Sequence, residues 1–173
     1  MGAKKNDCER NAAKRLLQDL RREHPQFDMT IIEDSLASNV PHIKLLRELN
    51  FHFILGVKPG DHTALMENIK DTASYGPMGK VEIKDGAITN VFHFINNVPL
   101  NNGNHDVTIN YLEHWALGEQ GVLRHSNWVT DFPLTEKNVD KIMRGGRARW
   151  KIESETFNTL KNQGYHFEHN FGH

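Results

Sequence analysis

A single cysteine, Cys8, stands in 173 residues, so no internal disulfide can hold this chain together. A run of about 18 apolar residues is lacking, and so is the charged, apolar and small-residue pattern of a secretory signal. Those absences lead us to expect a soluble, cytoplasmic protein with no membrane partner. Charge of one sign is not in excess either: 21 Lys and Arg against 22 Asp and Glu give a formal net charge of −1. Any binding to nucleic acid must then come from a local patch rather than from the whole surface. No helix-turn-helix signature is present. Eleven histidines invite a metal reading, and His166, His169 and His173 have spacings that zinc could use. Without cysteine partners or a His-Glu-x-x-His helix, and with Asn170 and Gly172 nearby, that stretch reads as an irregular tail.

What the chain does contain is 38% hydrophobic residues, enough for one domain with a core. Ala12, Leu16, Leu17 and Leu20 make an apolar stripe on a helix expected from Asp7 to Glu23 and stopped by Pro25, with Arg10, Arg15, Arg21 and Arg22 on its solvated face. Met29 to Glu33 is a short, β-branched strand that ends in a carboxylate, Asp34. Pro41 to Asn50 opens like a helix and Phe51 to Val57 is a second strand, so the three form a βαβ unit with parallel strands. Functional groups of open α/β sheets gather at the carboxyl ends of such strands. Asp34 stands there, although an Asp in that position also serves as a helix cap or turn residue. Alternation directs Glu33, its neighbour, to the other face.

Residues 60–130 change character. Val81, Ile83, Ile88, Val91, Phe92 and Phe94, then Thr108, Ile109, Tyr111 and Leu112, fall in alternating runs punctuated by Asp85-Gly86 and by Asn-rich loops, which predicts antiparallel hairpins. A last strand is expected near Leu123–Thr130, then a helix capped by Thr135 and running to Met143. Gly145-Gly146 should break it. Arg147 to Lys161 is expected to form a further helix, in which Arg149 and Glu153 share an edge and Trp150, Phe157 and Leu160 make an apolar stripe. An ordinary ion pair on a solvated face would look the same. The basic patch lies here: Lys141, Arg144, Arg147, Arg149, Lys151 and Lys161 against Glu153 and Glu155.

The segment Arg147-Ala148-Arg149-Trp150-Lys151-Ile152-Glu153, followed by Phe157-Asn158-Thr159-Leu160-Lys161, resembles the part of DDE-type insertion-sequence transposases that carries their last acidic residue. Arg149 and Glu153 match the family's spacing of Tyr, two residues, Arg, three residues, Glu, six residues, Lys. The Tyr position holds Gly146 and the Lys position holds Leu160, with Lys161 one residue on. Ile31-Ile32-Glu33-Asp34-Ser35-Leu36, with Phe53-Ile54-Leu55-Gly56-Val57-Lys58 after it, is similar to the family's second-Asp segment.

The resemblance implies an α/β, incomplete RNase H-like fold: a partial core over 1–59 with the second Asp, an inserted and mainly antiparallel β region over 60–130, and a C-terminal helical part over 131–173 with the Glu. It implies Asp34 and Glu153 as catalytic and metal-binding residues, and Arg147, Arg149, Lys151 and Lys161 as DNA contacts. The implied cofactors are Mg²⁺ or Mn²⁺, hard cations that take carboxylate oxygens and, as a pair, support in-line phosphoryl displacement. The family's first Asp has no match, so the expectation is a truncated transposase, inactive alone, that still binds the DNA of insertion-element ends. The alternative is a non-catalytic regulatory fragment that self-associates or pairs with full-length transposase.

Overall fold

The computed structural model describes residues 9–75, 77–102 and 106–151. Their frame is one mixed sheet of six strands in the order β1-β2-β6-β5-β4-β3. The strands are β1 (Thr30–Glu33), β2 (His52–Val57), β3 (Gly79–Asp85), β4 (Ile88–Pro99), β5 (Thr108–Gly118) and β6 (Gly121–Thr130). Helices α1 (Glu9–Glu23), α2 (Val40–Glu48), α3 (Thr63–Tyr75) and α4 (Val139–Lys151) complete it. None of the described helices is long and apolar enough to cross a membrane.

The βαβ expectation is met in its essentials. β1 and β2 pair in parallel, Ile31 opposite Phe53 and Glu33 opposite Leu55, with α2 between them in sequence. Asn39 caps α2 by accepting a hydrogen bond from the His42 amide, ahead of Pro41 in the first turn, where a missing N–H costs nothing. β2 is a nearly unbroken apolar run because both of its faces are covered. Phe53, Leu55 and Val57 enter a core with Ile43, Leu46, Leu65 and Tyr111, while Ile54 enters a second core with Phe92, Leu112, Trp128 and Met143.

The antiparallel region joins the same sheet. β6 pairs with β2, Val57 opposite Asn127 and Ile54 opposite Thr130, and β3 to β6 follow as consecutive hairpins. The β3–β4 turn uses Gly86-Ala87, with Gly86 at φ 59°, a left-handed conformation that glycine adopts without strain. Thr130 and Asp131 lock β6 onto β2: the Thr130 hydroxyl donates to the Phe53 carbonyl at 2.7 Å and the Asp131 carboxylate accepts from the Phe53 amide at 2.9 Å. α3 falls inside the stretch expected to be β-rich, and its Leu65 and Ile69, one turn apart, are buried in the first core.

Two local expectations are corrected. Arg21 is not a solvated-face residue. Its guanidinium donates to the carbonyls of Leu49 (2.7 Å), Asn50 (2.9 Å) and Phe27 (3.0 Å) and lies over the Phe51 ring, tying the end of α1 to the turn before β2. Gly145-Gly146 does not break a helix either, because α4 runs straight through both. A Cβ at Gly146 would collide with the Trp128 indole, and one at Gly145 would meet Ile54 Cδ1 at 2.9 Å. The glycines are there for closeness: without side chains, α4 lies directly on the sheet.

The two positions should therefore respond oppositely to alanine. Trp128 is large and buried, so it cannot move aside, and Gly146→Ala should cost about 1–3 kcal/mol by overpacking. Gly145→Ala meets only the tip of a flexible side chain and should be neutral or stabilising, by up to about 1 kcal/mol of helix propensity. Urea unfolding of both variants tests this; equal losses would show that closeness to Trp128 is not what the pair provides.

Candidate functional site

Where β1 and β2 end, the sheet has a step. β2 stops opposite Asn127, but β6 extends on from Ser126 back to Gly121 with no partner on that side. At the step lies a cleft of about 520 Å³, lined by Ser126, Asn127 and Trp128 of β6, by Glu33, Asp34 and Ser35 at the end of β1, and by Arg149 and Trp150 of α4. Lys58 and Pro59, just after β2, close one end and His125 stands at its mouth.

Each wall has a local cause. Asp34 follows the last residue of β1 in an extended conformation, φ −80° and ψ −172°, and caps a short 3-10 turn over Ser35–Ala37. Its Oδ1 accepts from the Leu36 amide at 2.9 Å, so the cap reading and the cleft reading are both true of it. Among the described residues its other oxygen takes no hydrogen bond, and the residue is exposed. The turn folds back over β2: the Ser38 hydroxyl donates to the Gly56 carbonyl at 2.6 Å. A side chain at Gly56 would press on the Asp34 and Ser35 backbone at 3.4–3.6 Å. Glu33, which lines the cleft as well, is held 2.6 Å from His42 Nε2 on α2.

The floor and mouth are equally constrained. Tyr111 donates from its hydroxyl to Asn127 Oδ1 at 2.9 Å, and burial first, then Glu113, pushes that phenol above its ordinary range, so it remains a donor. His125 is pinned by Glu113 Oε1 at 2.7 Å and stacks on the Trp115 ring at 4.8 Å. Beneath α4 lies His114, completely buried, with Nε2 2.8 Å from Asn90 Oδ1 and its ring stacked on Phe92. Its Nδ1 has no hydrogen-bond partner among the described residues.

Of the residues expected to carry function, the structure brings Asp34 and Arg149 into the lining of one cleft. Arg149 also stands 5.9 Å from the centre of the Trp150 ring, which is 63% exposed. Arg147 is half-buried on α4, and Lys151 is exposed as its last residue. Glu153 and Lys161 lie outside the described residues, as does the stretch from His166 to His173. Lys58, His125 and Trp150 were not singled out for the site from sequence. Lys58 follows a parallel strand and could have been found by that rule, whereas His125 reaches the cleft only through the pairing of β6.

The residues described here do not fit a two-ion centre. Among them, no group of three or more His, Cys, Asp or Glu is placed to hold a metal, Glu33 is engaged by His42, and Asp34 keeps one oxygen beyond the one that caps Leu36. Cations are better represented there, with Lys58 and Arg149 on its walls. The arrangement suits an anionic ligand with an aromatic or planar portion for Trp150. No protein-family model matches the chain, and no curated protein matches it significantly.

Burial, with help from Arg147 and Arg124, lowers the His114 pKa to about 4 from an ordinary value of 6.5. The unfolded chain therefore takes up this proton first as pH falls. Stability tied to His114 is complete above pH 6.5 and is lost as pH drops toward 4, by roughly 3 kcal/mol in all. His114→Gln should flatten that part of the stability profile measured by urea unfolding between pH 7 and 4. A profile as steep as the parent's would show that other groups carry the dependence.

Proposed function

We propose that this chain is the C-terminal part of an RNase H-like, DDE-type transposase domain that binds DNA in the cleft between Asp34 and Arg149 and does not cleave it alone. The observation that carries this reading is the meeting of Asp34 and Arg149 at one cleft, although they come from opposite ends of the sequence. They are the described members of the two segments whose resemblance to the family's acidic motifs was noted above, and nothing but the fold brings them together. Glu153, four residues beyond Arg149 in sequence, is the second carboxylate in this proposal.

Two further features favour it. β1 pairs on one side only among the described residues, so its outer edge is open to a strand that would carry another carboxylate to the same end of the sheet. The cleft combines a guanidinium, an ammonium and an exposed indole, which suit phosphates and bases. With Asp34 the one carboxylate among the described residues at the cleft that is not paired with a histidine, the chain supplies part of the acidic set that metal-assisted displacement requires. Its role is then to grip DNA, and that grip would also serve a fragment that modulates a full-length enzyme. Mg²⁺ or Mn²⁺ would belong to the completed acidic set.

Fluorescence anisotropy with duplex DNA, together with a cleavage assay in Mg²⁺ and Mn²⁺, tests this. Salt-sensitive binding without cleavage is expected. Arg149→Gln should weaken binding about tenfold, the loss expected for one charged hydrogen-bonded contact, while Asp34→Asn, which retains the capping oxygen, should leave affinity unchanged or slightly raised. Metal-dependent cleavage that Asp34→Asn abolishes would overturn the inactive reading. Absence of DNA binding at low salt would overturn the proposal as a whole.

A further inference from the structure

On the α4 side of the sheet two guanidiniums lie near each other, and among the described residues neither is held in a salt bridge. Arg124 lies on β6 opposite Ala116, and Ser126 lies opposite His114, so alternation sets Arg124, Ser126 and Trp128 in one row on one face. Gly146 rests on the Trp128 indole, which brings Arg147, the next residue of α4, down beside that row. Arg147 is half-buried there while Arg124 is exposed. Burial, and then the charge of Arg124, hold the Arg147 pKa below its ordinary range, and both arginines act on His114, which lies opposite Ser126 on the same face.

Nearby cations are treated differently. Arg144 has Asp140 at 2.8 Å, one helical turn away. Among the described residues, neither Arg124 nor Arg147 makes a salt bridge. Two like charges repel, the more so as Arg147 is partly desolvated, and the nearby Asp140 carboxylate is taken by Arg144. Two guanidiniums held near each other on one face, one of them half-buried, are what a site looks like before its anion arrives.

We propose that Arg124 and Arg147 form a clamp for one phosphate group, belonging to a nucleic-acid backbone that passes from the Arg149 cleft onto the α4 side of the sheet. The clamp rests on the DNA-binding reading for the source of its phosphate, but not for its chemistry. Guanidinium forks match the oxygens of a phosphate in pairs, and they are less strongly hydrated than an ammonium, so a half-buried position suits them. The short path along α4 from Arg147 to Arg149 lets one strand touch both.

Anisotropy with a short fluorescent duplex over a series of salt concentrations reads the clamp. Arg124→Gln and Arg147→Gln should each weaken binding about tenfold and make the slope of log K against log salt shallower by about one. Arg22→Gln, on α1 beside Asp19, should change neither. Because the Gln substitutions relieve repulsion, their thermal midpoints without ligand should equal or exceed the parent's; Arg124 is exposed, so its replacement leaves the core intact. Parent-like affinity and slope in both Gln variants would overturn the clamp.

Inorganic phosphate separates the clamp from the wider reading. If the parent chain does not bind duplex, phosphate that raises its thermal midpoint, and not that of Arg124→Gln, keeps the clamp and removes the nucleic acid. No phosphate effect in that case overturns the clamp as well.

Discussion

The double burial of β2 is the constraint on which the rest of this structure depends. Phe53, Leu55 and Val57 fill one core and Ile54 the other, so a slip of one residue would exchange the faces of the whole strand. β2 is also where the sheet changes direction, parallel to β1 and antiparallel to β6. A parallel pair leaves both carboxyl ends at one rim. An antiparallel neighbour passes that rim and continues, and the step between the short strand and the long one is the cleft.

Placement of the cationic groups depends on a second close contact, between α4 and the sheet. Helices in general stand off a sheet by the thickness of their side chains. Gly145 and Gly146 remove that thickness where α4 crosses Ile54 and Trp128, and the helix settles with its last turns beside the cleft. Arg149 and Trp150 then face the Asp34 side while Arg147 falls toward β6. A standard residue in place of Gly146 would lift these groups from the positions in which their chemistry converges.

Electrostatically the two ends of the molecule's business side differ. Around β1 the carboxylates are occupied, Glu33 by His42 and Asp34 in part by the Leu36 amide. Toward β6 the Arg124 and Arg147 guanidiniums make no salt bridge among the described residues, and His114 is kept neutral beside them. A protein whose overall charge is nearly zero can present an attractive surface to an anion in this way, because the field near a surface is set by local groups within about a Debye length rather than by the net sum.

By itself the amino-acid sequence determined what depends on neighbours along the chain. The periodicity of Leu17 and Leu20, the β-branched run before Asp34, the proline opening α2 and the glycine of the β3–β4 turn each act within a few residues, and α1, β1, α2, β2 and the hairpins lie where those signals put them. Sequence also marked Asp34 and Arg149, through a strand end and a motif spacing. It could not supply the role of Gly145-Gly146, which is to admit Trp128 and Ile54 from distant strands; as local signals, two glycines say only that a helix is weak. Nor could it supply Arg21 as a clamp on the Leu49 and Asn50 carbonyls, or Arg124 as a neighbour of Arg147, since register between β6 and α4 is a matter of packing. Tertiary structure alone decided which charges would meet, because Coulomb energies depend on distance through space and the chain encodes only distance along itself.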